Sequence, residues 1–183
     1  NLDDKQAADT GMVCGGHMQF FIEALSQEER LYIFGGGHIA YYLSKMAELQ
    51  EWPFVIIDDR EEFCNPERFP SALELGQRHP AEYAEKLNTT ENDFMVVITR
   101  GHEYDYEVVR QLLKKTNGYL GMIGSKVKRK EIYTKLLNED KFSQNEIDLI
   151  HSPIGLDIAA QTPQEIAVSI MAKLIQIKNR KQK

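Results

Sequence analysis

From residue 31 onward, hydrophobic and polar positions fall into a repeating order of short apolar runs and longer stretches with helical spacing. Leu31, Tyr32, Ile33 and Phe34 form an apolar run closed by three glycines, the pattern of a parallel strand buried on both faces. A helix is predicted over 39–50, and Phe54, Val55, Ile56 and Ile57 then make a second β-branched run ending at Asp58 and Asp59. An irregular stretch carries Pro66, Pro70 and Pro80 and leads to a short helix near 81–87. The run 94–98 is a strand, 104–115 a helix, 119–123 another strand, and Ser125 opens a helix to about residue 138. The final helix has the clearest start. Thr162 caps it, Pro163 suits its first position, and Glu165 completes a capping box. Ile166, Ile170, Leu174 and Ile177 then recur on one face. Strand alternating with helix predicts an α/β fold, a doubly wound parallel sheet with helices on both faces.

Upstream the pattern is weaker. Residues 1–10 read as a loose polar arm, 18–22 as a short strand, and 26–30 as a linker or turn. The expected division is an N-terminal arm over 1–28 and a nucleotide-binding domain over 29–183. The basic residues of 178–183 read as a solvated, fraying helix end. A length of 183 residues suits one packed domain with a short appendage. Apolar residues at 42% and charged residues at 27% are ordinary for a soluble globular protein. A net charge of −6 argues against an extended nucleic-acid footprint. Cys14 and Cys64 cannot build a disulfide framework, which fits a reducing compartment. No apolar run approaches the ~20 residues of a membrane span. The first residues form no signal peptide and lack an initiator Met, as in a processed chain or a fragment. A cytoplasmic location is the expectation.

The chemistry concentrates at the strand ends. Gly35, Gly36, Gly37, His38, Ile39 and Ala40 satisfy G-x-G-x-x-G/A with Ala40 in the third place. Gly35 permits the tight turn, Gly37 lets backbone approach a pyrophosphate, and small Ala40 lets the helix pack close to the sheet. N–H groups at the helix start then attract an anion. Asp58, at the end of the next strand, is placed to accept from ribose hydroxyls. Arg60 beside it suits a 2′-phosphate instead. A glycine-rich turn without ligand and a local Asp58–Arg60 ion pair are the plainer alternatives.

Further candidates follow the other strands. Thr99, Arg100, Gly101 and His102 come after 94–98, with Asp105 three residues beyond. His102 is either an acid/base or ligand-binding group or a surface histidine, and Asp105 is a first-turn helix stabiliser. Gly124 and Ser125 precede Lys126, Lys128 and Arg129, cations that oppose the helix dipole by about 0.3–1 kcal/mol each. An anionic ligand would remove that conflict; otherwise the side chains extend into water behind a Ser125 cap. His151 and Asp157 flank Ser-Pro-Ile-Gly-Leu in a loop before the last helix. Cys14 beside Gly15 and Gly16 suits a thiolate ligand or sulfur carrier, or is inert. His17, His38 and His79 have no metal-site spacing, and there is neither a G-x-S-x-G elbow nor a Walker A lysine.

Taken in order, these segments resemble the XdhC/CoxI family of accessory factors for molybdenum hydroxylases such as xanthine dehydrogenase. The resemblance runs through Gly11–Gly16, Phe34–Ala40, Ile57–Arg60, Thr99–Asp105, Tyr119–Lys126, His151–Ile158 and Thr162–Ala167. It implies a Rossmann-like C-terminal domain, a shorter N-terminal domain, and a part in molybdenum cofactor maturation. By that resemblance the protein binds the molybdenum cofactor (molybdopterin) or a nucleotide form of it, assists its sulfuration, and delivers it to an apo molybdenum hydroxylase with a cysteine desulfurase as a further partner. The phosphate would sit on the Gly35–Ala40 loop and the Ser125 helix start, faced by His102, His151 and Asp157, and a sulfur or metal role would fall to Cys14. Of the family's N-terminal domain only about 11–23 is recognisable, and Arg100 and Gly101 stand where many relatives carry a histidine directly after the threonine. The rivals are a small NAD- or NADP-dependent oxidoreductase with His102 or His151 as proton donor, and a nucleotide sensor. Dimerisation through the arm is left open.

Overall fold

The computed structural model describes residues 29–115 and 118–181, with the side chain of Lys181 aside. Six segments become strands: β1 Arg30–Phe34, β2 Phe54–Ile57, β3 Glu74–Gly76, β4 Asp93–Val97, β5 Tyr119–Met122 and β6 Ile150–His151. They form one sheet in the order β3-β2-β1-β4-β5-β6, and every pairing is parallel. β1 lies at the centre, with Leu31 opposite Phe54 on one side and Phe94 on the other. Winding reverses between β1 and β4, so their carboxyl ends open the crevice where such sheets take ligands.

The helices are α1 His38–Leu49, α2 Pro80–Lys86, α3 His102–Leu113, α4 Lys126–Asn138, α5 Gln144–Ile147 and α6 Pro163–Lys181. Alternate β1 residues feed two cores, because successive side chains leave opposite faces of a strand. Leu31 and Ile33 pack with Leu43 and Ala47 of α1 and with Ile170 and Leu174 of α6. Tyr32 and Phe34 pack with Val108 and Leu112 of α3 and Leu136 of α4. The sheet is thus doubly wound and covered on both faces, and the expected capping box at Thr162 and Glu165 is formed. No helix among the described residues is long and apolar enough to cross a membrane.

Three elements depart from the sequence expectation. β3 arises inside the proline-containing irregular stretch, where only three residues pair with β2. A run that short has no readable period; the neighbouring strand imposes it. β6 takes Ile150 and His151 from what reads as a loop, pairing them with Leu120 and Gly121. α5 is a single turn held by a capping box between Ser143 and Glu146. The basic tail also differs, since Lys178 is not a solvated end: its Nζ lies 2.5 Å from Glu29 and 4.7 Å from the centre of the Trp52 ring. The expected strand at 18–22 lies outside the described residues.

Candidate functional site

Between β1 and α1 the chain must turn within three residues. Gly35 adopts φ +110°, and a Cβ there would approach the Ile98 carbonyl oxygen to 2.4 Å. A Cβ on Gly36 would come within 2.0 Å of the Phe63 carbonyl oxygen in the 3-10 turn Glu61–Phe63. Gly37 is different: a Cβ there meets nothing within 4 Å. It is the N-cap of α1, without a side-chain cap bond and without an acid in the first turn. The first N–H groups of a helix have no partner within it, so this end offers them, with the positive end of the dipole, to an anion. Ala40 is fully buried and seats the helix on the sheet.

A cavity of about 270 Å³ opens here, lined by Gly37, His38, Asp58, Arg60, Thr99 and Arg100, with Gly35 in its floor. Asp58 closes one wall. It is 3% exposed; its Oδ2 accepts from the Gly36 N–H at 2.8 Å and from Arg60 Nη2 at 2.9 Å, and its Oδ1 accepts from Arg60 Nε at 2.9 Å. Burial by itself would raise this carboxyl, but the bonds from Arg60 and from the Gly36 N–H outweigh it and hold the pKa below its ordinary value. The local Asp58–Arg60 ion pair is formed, with the guanidinium over the Phe63 ring at 3.8 Å.

Two further arginines organise the loop. Arg68 Nε donates to the Gly36 carbonyl at 3.1 Å; nothing in the sequence marks this residue, which lies 32 positions away. Arg100 donates to Asp59 at 2.9 Å and to the Tyr104 hydroxyl at 2.8 Å, while Tyr104 donates to Asp59 at 3.0 Å. Because β1 lies between β2 and β4, this cluster bridges the loops on either side of the glycine turn.

Thr99 is fixed from behind. Its N–H and hydroxyl both donate to Asp105 Oδ1, at 3.0 and 2.5 Å, and Lys128 Nζ donates to Asp105 Oδ2. Asp105 is fully buried and Lys128 is 9% exposed. Burial raises the Asp105 carboxyl above its ordinary pKa, with Lys128 and Thr99 pulling the other way. Asp105 is therefore more than a first-turn stabiliser. Lys128 does not extend into water and lines neither described cavity: it turns back onto Asp105, which removes its conflict with the α4 dipole. Arg129 likewise donates to the Ser152 carbonyl at 2.5 Å. Ser125 caps α4 through the Lys128 N–H at 3.2 Å, and Lys126 is exposed.

The remaining candidates lie elsewhere. The His102 side chain, 65% exposed, has Nδ1 3.7 Å from Glu131. His151 stacks on the Tyr119 ring at 4.7 Å, and burial, with Lys173 adding to it, lowers its pKa. Neither histidine lines the cavity. Gly124 and Asp157 line a second cavity, of about 440 Å³, under the 153–160 segment. Cys64 is buried against the Ile56 carbonyl, and burial pushes its thiol up, which keeps it unreactive. Cys14 lies outside the described residues. Among the described residues no cluster of three or more His, Cys, Asp or Glu is placed to hold a metal ion.

Comparison with known proteins adds the family. The XdhC Rossmann domain matches residues 31–174. The chain is 31% identical over 170 residues to the uncharacterized protein YqeB of Escherichia coli strain K12, covering 92% of this chain and 31% of YqeB. It is 28% identical over 160 residues to a probable xanthine dehydrogenase subunit of Bacillus subtilis strain 168, covering 87% of this chain and 46% of that protein. The crystal structure of a xanthine dehydrogenase from Bacillus halodurans superposes with a TM-score of 0.74 at 37% identity, over 86% of this chain and 45% of that one. The chain thus spans less than half the length of each.

Proposed function

The chain belongs to the XdhC family through its Rossmann domain, and from that premise we propose that it binds the molybdenum cofactor, or a nucleotide form of it, for a xanthine dehydrogenase-type hydroxylase. The observation that carries this reading is Gly37: an uncapped helix start with open space where a side chain would stand, lining a cavity that also presents Arg60 and Arg100. A phosphate group fits that cradle. Gly37 and His38 would meet it with backbone N–H groups, and Arg60 and Arg100, paired with Asp58 and Asp59, would offer it the guanidinium donors those pairs leave over. At about 270 Å³, just under the ~300 Å³ at which small-molecule sites begin, the cavity suits the phosphate end while the rest of the ligand extends outward. When bound, the cofactor supplies the metal centre that the client hydroxylase uses; this chain's part is to hold and present it. The names of the Bacillus relatives support a hydroxylase partner. Sulfuration with a cysteine desulfurase, a sulfur role for Cys14, and action in the cytoplasm belong to the same proposal.

A second reading, an NAD- or NADP-dependent oxidoreductase, has Arg60 at the end of β2 in its favour, since a 2′-phosphate would pair there. Against NAD, both Asp58 oxygens are engaged by Gly36 and Arg60, so ribose hydroxyls meet an occupied acceptor. The deciding experiment is calorimetric titration of the chain with molybdopterin, NAD and NADP, repeated on Gly37→Asp. The expected outcome is molybdopterin binding that weakens about tenfold or more in the variant, with little heat from the nicotinamide nucleotides. Preferential binding of NAD or NADP overturns the cofactor reading in favour of the second.

A further inference from the structure

The larger of the two strand-end cavities has no role in the phosphate site. Its volume, about 440 Å³, falls within the roughly 300–1,000 Å³ of small-molecule sites. It stands beside the phosphate cavity: Ile98, after β4, lines the first, and Ile123, after β5, lines the second. The Ile123 N–H donates to the Val97 carbonyl at 3.0 Å, so the two cavities open at adjacent strand ends, about 4.8 Å apart in such a sheet. Both lie on the carboxyl side, where open α/β sheets take ligands.

Its walls are apolar, with Ile123, Ile154, Leu156, Ile166 and Ile170 facing the space. Ser169 is the inner polar group, and its hydroxyl already donates to the Leu156 carbonyl at 2.5 Å. Asp157 is the charged residue of the lining. Its Oδ1 accepts only a long bond, 3.4 Å, from the Ala159 N–H, and no described residue donates to its Oδ2. The segment holds Ala159 in the left-handed region, at φ +55°, a conformation costly for a residue with a side chain and concentrated at functional sites. A carboxylate at the edge of apolar walls suits a flat ring that carries two adjacent N–H donors.

We infer that this cavity receives the amidine edge of a fused heterocycle, the pterin or guanine end of the phosphate-bearing ligand, with the Asp157 carboxylate accepting from the ring amino group and the neighbouring ring N–H. The inference rests on the proposed cofactor reading for the ligand's identity, but its ring site stands on its own geometry. Adenine, which offers one amino group beside a ring acceptor, forms only one of the two bonds.

The test uses the whole chain and four probes: pterin, guanosine, adenosine and inorganic pyrophosphate. Each is titrated by calorimetry into wild type, Asp157→Asn and Gly37→Asp. Asp157 is exposed, and asparagine keeps the oxygen that faces Ala159, so the variant retains the fold. Pterin or guanosine is expected to bind at least about tenfold more tightly than adenosine. That preference disappears in Asp157→Asn and survives in Gly37→Asp, while pyrophosphate shows the reverse pattern. The tighter of pterin and guanosine identifies which ring the ligand carries. Equal ring binding to wild type and Asp157→Asn, no preference over adenosine, or no ring binding at all overturns the inference. If pyrophosphate still binds in those cases, the phosphate reading stands and the ring site alone falls; if pyrophosphate fails while the rings bind, the reverse holds.

Discussion

Three consecutive glycines occupy positions 35–37 for three different physical reasons. Gly35 is required by its backbone angle, Gly36 by a carbonyl oxygen 2.0 Å from where its Cβ would be, and Gly37 by neither. Gly36→Ala therefore forces the Phe63 turn aside and is expected to cost about 1–3 kcal/mol, as overpacking does, seen as a lower midpoint in urea. Gly37→Asp is expected to do the opposite to stability. A carboxylate at an N-cap gains a few tenths of a kcal/mol over glycine and roughly 0.3–1 kcal/mol more from the dipole. Thermal melts of Gly37→Asp should show an unchanged or slightly higher midpoint. His151 offers a pH test. Its folded pKa lies below the ordinary 6.5 because of burial and then Lys173, so the unfolded chain takes the proton first as pH falls. The stability it contributes is intact above pH 6.5 and is lost progressively below it. Melts between pH 7.5 and 5.5 should show this decline, and His151→Gln should flatten it.

At the scale of elements, α4 begins with cations where a helix favours anions, and the fold answers by moving one of them. Lys128 reaches Asp105 at the start of α3, and Asp105 in turn holds both the N–H and the hydroxyl of Thr99. The pair thereby joins α3, α4 and the wall of the cavity that Gly37 lines. Removing one member leaves a buried charge uncompensated, at about 3–5 kcal/mol. Lys128→Met should lose that much in urea unfolding, and the double variant Asp105→Asn, Lys128→Met should recover a large part of it. A double variant as unstable as the single one would mean that the two residues act separately.

For the whole molecule, α6 closes the α1 face of the sheet. Ala167, Ile170, Met171 and Leu174 are buried there with Leu43, Ala47 and Ile154. Each of the three larger α6 side chains contributes about 1.5–3 kcal/mol by burial, together comparable to the roughly 5–15 kcal/mol that holds a typical domain. A chain ending before Pro163 is expected to lose cooperative unfolding and to associate, as circular dichroism and size-exclusion chromatography would show.

The alternation of apolar runs with helical spacing determined the doubly wound class, because burial on both faces leaves strands no polar positions and helices a regular stripe. The glycine turn and the start of α6 were equally legible, since steric and capping demands act over three or four residues. Partners distant in the chain were not. Arg68 on the Gly36 carbonyl, Arg100 on Asp59 and Lys128 on Asp105 join residues 23 to 41 positions apart or carry no local signature. The tertiary structure alone decided that Lys128 would turn back to a buried Asp105, and that His102 and His151 would lie outside the cavity that Gly37 lines. It did so because the direction in which a charged side chain turns depends on which opposite charge the packed sheet brings within reach, and no local pattern encodes that.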